Sequence, residues 1–336
     1  MIVHLNKNIS KEQAQQLAEK YQSILFENGK LVLVTPSKLK TADDELKKAS
    51  TEIFVADSDI QLASKQYIAN KREIVIGQAT NNSFAIGGDT KNTLVITGPC
   101  SVESEEQIES AAQLCVELGV KVLRAGAYKP RTSPYTFQGM GLEGLKLLDK
   151  MRSKYGLKII TEVRDSTHVD EIIEYADIIQ IGAKSMYDHG ILRKCGKTRK
   201  PVLLKRGFGT TLQEFVQSAE FILSGGNPNV MLCERGIRTF ETKTRFTLDL
   251  CGAAWLKANT NLPIVLDPSH AIGYAYGVPD LARACVAMGI DGLLIESHPN
   301  PKVAKSDADQ QLNFEEFRNL YASLKTVATA VGYKVV

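Results

Sequence analysis

The chain has 336 residues, of which 43% are hydrophobic, 24% charged and 7% aromatic. That is the composition of a folded globular protein with one large domain, or one large and one small, and it excludes disordered, collagen-like and coiled-coil chains. Its 41 Lys and Arg nearly cancel 38 Asp and Glu to give +3, so no global field selects nucleic acid as a partner and charge has to be read locally.

Residues 1–70 read in order as a strand (MIVHLN), a helix (SKEQAQQLAEKYQSIL, Ser10 to Leu25), a strand (KLVLVT), a strand (TEIFVA) and a helix (SDIQLASKQYIA, Ser58 to Ala69). This is the pattern of a small split βαβ, ferredoxin-like α+β domain, a common scaffold for ligand sensing. Residues 71–93 alternate apolar and polar side chains around Asn-Asn and Gly-Gly-Asp, which predicts a β-hairpin capping one end of a larger C-terminal unit.

From residue 94 to the end, one unit recurs eight times: a short β-branched apolar run, a loop rich in Gly, Pro and charge, and an amphipathic helical stretch. The runs are LVITGP, VKVLRAG, KIITEV, DIIQIG, PVLLKRG, VMLCERG, PIVLDPSH and GLLIESH. Near-continuous apolar strands covered by helices make a parallel sheet, and eight such units make an α/β chain closed into a (β/α)8 TIM barrel over residues 94–336. The six cysteines are scattered without a Cys-x-x-Cys pair, the opening MIVHLNKNISKEQ lacks a signal-like segment, and no apolar run approaches the ~18 residues of a membrane span. A cytoplasmic protein with no membrane or nucleic-acid partner is expected.

Barrels of this kind place their chemistry where the C-terminal strand ends and their loops converge. Two patterns occur there. Arg124, Lys129, Arg131, Lys184, Lys205, Arg206 and Arg235 all lie on or just past strand ends. Like charges converging on one mouth are costly unless anions bind among them, and phosphate is the anion that Arg forks and Lys point charges match. So many cations call for two phosphorylated ligands or one bisphosphate. Lys205 could instead form a Schiff base. The second pattern is Cys100, His270, Glu296 and Asp307, a thiol, an imidazole and two carboxylates that suit a borderline divalent ion such as Mn, Fe, Co or Zn better than Mg or Ca. His298 and Asp267 compete as ligands, and spacing does not separate them.

Together the strings GPCSVES, KVLRAGAYKPRTSPYTFQG, QIGAK, PVLLKRG, LCERGIRTFE, DPSHA, and ESHPNP followed by SDADQQL resemble the type I synthases of 3-deoxy-D-arabino-heptulosonate 7-phosphate (DAHP), in the subfamily with an N-terminal ferredoxin-like domain. The resemblance implies a transferase of the shikimate pathway that condenses phosphoenolpyruvate with erythrose 4-phosphate and water, releasing phosphate. It implies Cys100, His270, Glu296 and Asp307 as metal ligands, and Arg124, Lys129, Lys184, Lys205 and Arg235 as phosphoenolpyruvate-binding residues. It further implies Arg131 and Thr132 at the sugar phosphate and Asp267 near the aldehyde end. Lys129 is the candidate general acid at the aldehyde oxygen, and Glu162 a weaker candidate for handling water. The small domain implies feedback inhibition by tyrosine or phenylalanine, and the family commonly forms homotetramers.

A sibling family makes an octulosonate 8-phosphate from arabinose 5-phosphate, but it reads Lys-Ala-Asn-Arg-Thr-Ser where this chain reads Lys129-Pro130-Arg131-Thr132-Ser133. A non-catalytic sensor of phosphorylated ligands is the remaining alternative. One departure from the family pattern is Lys184, where Arg is usual; it keeps the charge and loses the bidentate fork.

Overall fold

The computed structural model describes residues 1–77, 82–129 and 133–336. Its first unit runs β1 (Ile2–Leu5), α1 (Lys11–Lys20), β2 (Ile24–Glu27), β3 (Leu31–Val34), α2 (Asp44–Ala49) and β4 (Ser50–Phe54), with the four strands in the antiparallel order β2-β3-β1-β4. This is a ferredoxin-like βαββαβ unit. α1 starts in a capping box, Ser10 accepting from the Gln13 backbone while the Gln13 side chain returns to the Ser10 backbone. Strand alternation then splits the sheet into two apolar faces. Val3, Leu5 and Leu33 pack with Leu17 and Leu46 of the two helices, whereas Ile2, Val32 and Val34 join the core of the large unit.

Two expectations fail here. The predicted helix through Leu25 stops at Lys20, because Ile24–Glu27 forms a hairpin with Leu31–Val34 through Asn28 and Gly29, which sits at φ 70. The predicted helix Ser58 to Ala69 is instead a run of turns. Its backbone is claimed from outside: the N–H groups of Gln61, Leu62 and Ala63 donate to the Glu220 carboxylate at 2.8, 3.1 and 2.8 Å. Asn261 Nδ2 donates to the carbonyls of Leu62 and Ser64. Three consecutive N–H groups aimed at one carboxylate cannot also bond carbonyls four residues back. Replacing Glu220 with Ala strands those donors, each costing about 1–3 kcal/mol if left dry. Glu220→Ala is expected to lower Tm by several degrees and to open residues 58–70 to limited proteolysis.

Next comes a hairpin of β5 (Glu73–Ile76) and β6 (Phe84–Gly87). The barrel strands are β7 (Asn92–Gly98), β8 (Val122–Arg124), β9 (Lys158–Val163), β10 (Ile178–Ile181), β11 (Val202–Lys205), β12 (Val230–Glu234), β13 (Ile264–Leu266) and β14 (Gly292–Glu296). All pair in parallel with their sequence neighbours, and β14 closes on β7. The helices are α3 (Glu105–Leu118), α4 (Leu142–Tyr155), α5 (Val169–Tyr175), α6 (His189–Lys197), α7 (Leu212–Ser224), α8 (Leu250–Asn259), α9 (Pro268–Ile272), α10 (Val278–Ala287) and α11 (Phe314–Ala330). A last short strand, β15 (Lys334–Val335), pairs beside the start of β7.

Period-2 alternation sorts the strand side chains. Leu94, Ile96, Val122, Ile160, Leu203 and Met231 point into the barrel and pack with Ile74, Ile76 and Ile86 of the hairpin, which thereby closes one end. Val95, Leu123, Ile159 and Ile179 point out to the helices. The closed end leaves the other, where β7 to β14 terminate, as the open mouth. The small unit docks on the barrel flank against α7, where Arg199 also donates to the Glu27 carbonyl and Asn28.

Candidate active site

Each strand delivers its functional side chain at or just beyond its last residue. β7 ends at Gly98, whose φ of 140 lets it lie against the Arg124 carbonyl; a Cβ there would sit 2.2 Å from that oxygen. The chain then passes Pro99 to Cys100, fully buried beside the end of β14. Asp267 follows β13 and caps the five-residue α9 by accepting from His270 N. Glu296 is the last residue of β14, and the loop after it returns Asp307.

One ligand atom from each of Cys100, His270, Glu296 and Asp307 lies within 4.8 Å of the others. His298, the competing candidate, is elsewhere: its Nδ1 accepts from Asn300 N at 3.0 Å and its Nε2 faces Glu103. Asp267, the other competitor, stands behind His270, accepting from Lys205 Nζ at 2.6 Å and meeting His270 Nδ1 at 2.7 Å. A carboxylate on Nδ1 leaves Nε2 facing Glu296 Oε1 at 3.5 Å, the orientation a metal-binding imidazole adopts. Asp267 thus stands behind the imidazole and reaches the cavity through Lys205 and His270, which line it.

The donor chemistry fits a divalent cation. Burial, with Glu296 beside it, pushes the Cys100 thiol up to about 12, so it ionises only opposite a strong positive charge. Burial lowers the affinity of His270 for a proton despite Asp267, the direction that favours a neutral ring able to ligate. Burial alone would raise the carboxyl groups of Glu296 and Asp307; His270 when it is protonated, together with Arg124 for the first and with Lys129 for the second, holds both below the usual range.

The cations surround these donors. Arg124 gives Nη1 to Glu296 Oε1 and to the Pro99 carbonyl, both at 2.7 Å. Lys129 Nζ lies 3.0 Å from Cys100 Sγ and 3.1 Å from the Cys100 carbonyl. A cavity of about 110 Å³ is walled by Lys129, Glu162, Lys184, Lys205, Arg235 and His270, among others. Burial lowers the Arg235 pKa; its guanidinium lies 4.4 Å from the centre of the Phe246 ring, and its buried Nη1 has no partner among the described residues. Arg206 departs from the expected cluster, since it is consumed by Glu234 at 3.2 Å and Asp249 at 2.7 Å. Glu162 takes a 2.7 Å bond from Gln180, and Gly182 leaves it room, because a Cβ there would meet Glu162 Oε1 at 2.1 Å. Arg131 and Thr132 lie outside the described residues.

Sequence reasoning missed Arg245, Phe208 and Phe246, which share the cavity wall. Arg245 and Phe246 stand more than ten residues past the end of β12, beyond the reach of a strand-end rule. They are folded back by backbone bonds to Ile272 and Ala271.

The profile of the DAHP synthetase I family matches residues 73–332. A phospho-2-dehydro-3-deoxyheptonate aldolase of Thermotoga maritima is 49% identical over 241 residues, 72% of this chain and 71% of that protein. A 2-dehydro-3-deoxyphosphooctonate aldolase of Methylobacillus flagellatus is 34% identical over 245 residues, 67% of this chain and 86% of that protein. The crystal structure of the Thermotoga maritima DAHP synthase superposes with a TM-score of 0.80 at 38% identity, covering 100% of this chain and 99% of that one.

Proposed function

The chain belongs to the DAHP synthetase I family, and on that premise we propose that it condenses phosphoenolpyruvate with erythrose 4-phosphate and water to DAHP and phosphate. The observation that carries this reading is one cavity whose wall holds Lys129, Lys184, Lys205 and Arg235 together with His270 and Asp307. Cations for a phosphorylated, carboxylated substrate thus adjoin a donor set for a divalent ion.

In this reading Lys184, Lys205 and Arg235, with Arg124 behind them, hold phosphoenolpyruvate by its carboxylate and phosphate, and Arg131 and Thr132 take the sugar phosphate. Cys100, His270, Glu296 and Asp307 hold the ion, of the Mn, Fe, Co or Zn class. A divalent ion in such a site supplies Lewis-acid polarisation of an aldehyde oxygen. C3 of the enol phosphate bonds to the aldehyde carbon, and Lys129 gives its proton to the aldehyde oxygen. Burial acts to lower the Lys129 pKa, but the Cys100 sulfur, once ionised, and Glu162 outweigh it and raise it, the direction that keeps the ammonium protonated for the acid role. Water adds at C2 with Glu162 placed to accept a proton, and collapse of the hemiketal phosphate breaks the C2–O bond to release phosphate. Asp267 acts through His270 and Lys205 as a positioning residue.

The test is phosphate release from phosphoenolpyruvate by chelated protein, with and without Mn, against erythrose 4-phosphate and arabinose 5-phosphate in parallel. Release that needs both Mn and erythrose 4-phosphate supports the reading. Release with arabinose 5-phosphate alone moves the chain to the octulosonate reaction. Binding without turnover leaves a sensor.

Lys184→Arg is expected to lower the KM for phosphoenolpyruvate about fivefold, the worth of ~1 kcal/mol from a second charge-assisted bond. An unchanged KM places Lys184 away from the phosphate. The small domain is assigned to regulation, with tyrosine or phenylalanine as effector, in a cytoplasmic homotetramer. Among the described residues, none of residues 1–70 lines the cavity. Millimolar tyrosine or phenylalanine without effect on turnover excludes those effectors.

A further inference from the structure

We propose that the consecutive side chains of Gln310 and Gln311 are positioning residues for the divalent-ion site, holding Cys100, Glu296 and Asp307 in register; the inference rests on the ligand set proposed above. The three donors come from separate places, the ends of β7 and β14 and the loop after β14, and all carry negative charge when they ligate. Pairing of β14 with β7 sets Glu296 opposite Gly98 and so brings the first two donors near each other, but it leaves Asp307, eleven residues beyond Glu296, to be placed by other contacts.

Both glutamines are buried, at 2% and 1% exposure. Gln310 Nε2 donates to Glu296 Oε2 at 2.6 Å, and Gln310 Oε1 accepts from Arg245 Nη1 at 2.8 Å. That nitrogen also stands 3.3 Å from Asp307 Oδ1. The amide orientation is forced, because a guanidinium only donates and a carboxylate only accepts. Gln310 therefore links the two ligating carboxylates through Arg245, while Arg124 holds the other Glu296 oxygen.

Gln311 works on backbone. Its Oε1 accepts from Cys100 N at 3.0 Å, and its Nε2 donates to the Ser306 carbonyl at 2.8 Å. It thus ties the residue carrying the thiol to the residue before Asp307. Asp307 itself sits at φ 48, in the left-handed region, which aspartate tolerates better than most non-glycine residues. Leu312 completes the attachment, its N–H donating to the Glu296 carbonyl at 3.0 Å. Two adjacent neutral amides thereby fix three anionic donors without adding charge that would compete with the ion. Of the residues in these contacts, Arg245 and Asp307 line the cavity where phosphoenolpyruvate would lie, and neither glutamine does.

The experiment titrates the chelated full-length protein with cobalt(II), reading affinity by competition with a chromophoric chelator and ligation by the thiolate-to-cobalt charge-transfer band. Gln310→Met and Gln311→Met keep volume and remove the hydrogen bonds. Each is expected to weaken cobalt binding about 10–100-fold, the usual worth of an outer-shell partner. Gln311→Met should also shift or weaken the band at saturation, since it frees Cys100; a purely structural role would lower Tm and leave the saturated band unchanged. Should either variant fail to fold, Arg245→Leu, at a side chain 41% exposed, releases the far end of Gln310 together with its link to Asp307 Oδ1 and is expected to weaken binding severalfold. Wild-type affinity in the folded variants overturns the inference. A wild-type protein that binds cobalt with no thiolate band overturns the ligand set itself, which separates the two failures.

Discussion

Cys100→Ala is expected to lose about 10³-fold or more in turnover, since Lewis-acid polarisation is worth several kcal/mol and each 1.36 kcal/mol is a factor of ten. Cys100 is fully buried, and its Sγ is the point where the site is knotted together. Ser306 Oγ and Asp307 Oδ2 lie 3.1 Å from it and Lys129 Nζ lies 3.0 Å away. Alanine removes the only sulfur among the four donors and leaves Glu296 and Asp307 with His270 alone. The site should then lose both affinity and preference for a borderline ion. The lost volume is one sulfur atom, so the chelated variant should melt within a few degrees of the chelated wild type. Steady-state kinetics with metal analysis of the dialysed protein checks this; full turnover in Cys100→Ala removes the thiolate from the proposed site.

Lys129→Met is the second large effect, with kcat expected to fall about 10²–10⁴-fold while the ion stays bound. The methionine fills the same space and removes the ammonium that faces both Cys100 and the cavity. Lys129 stands between two tasks: it neutralises the sulfur and it presents a proton to the cavity. Lys129→Arg separates them, because a guanidinium keeps the charge and does not give up a proton at neutral pH. If proton donation dominates, Lys129→Arg is nearly as slow as Lys129→Met, and cobalt retains its thiolate band in both. If charge dominates, Lys129→Arg recovers most of the activity.

Much of this arrangement is legible in the order of the residues. The eight barrel strands are readable because a strand buried on both faces is apolar at nearly every position, and glycines, prolines and charges stand out at its ends. For the same reason Cys100, Lys205, Arg235 and Glu296 can be picked out at strand ends. Short elements are not legible. β2 has four residues and α2 has six, too few for a period to show, and the helix drawn through Leu25 swallows the first of them. The segment from Ser58 to Ala69 carries helical spacing, yet Glu220 on α7 binds three of its amides. Here a tertiary hydrogen-bond acceptor outweighs local propensity.

Pattern and spacing, which are local, were enough to specify the barrel, the hairpin that closes one end of it, and the set of side chains available at its mouth. How those groups divide among roles depended on the folded chain. Folding turned Arg206 away to Glu234 and Asp249, set Asp267 behind His270, brought Arg245 and Phe246 back to the wall, and seated the small domain on the flank against α7. Charged and polar side chains carry no periodic signal. Their roles are set by the partners that folding brings within hydrogen-bond distance, across separations such as the 211 residues between Cys100 and Gln311.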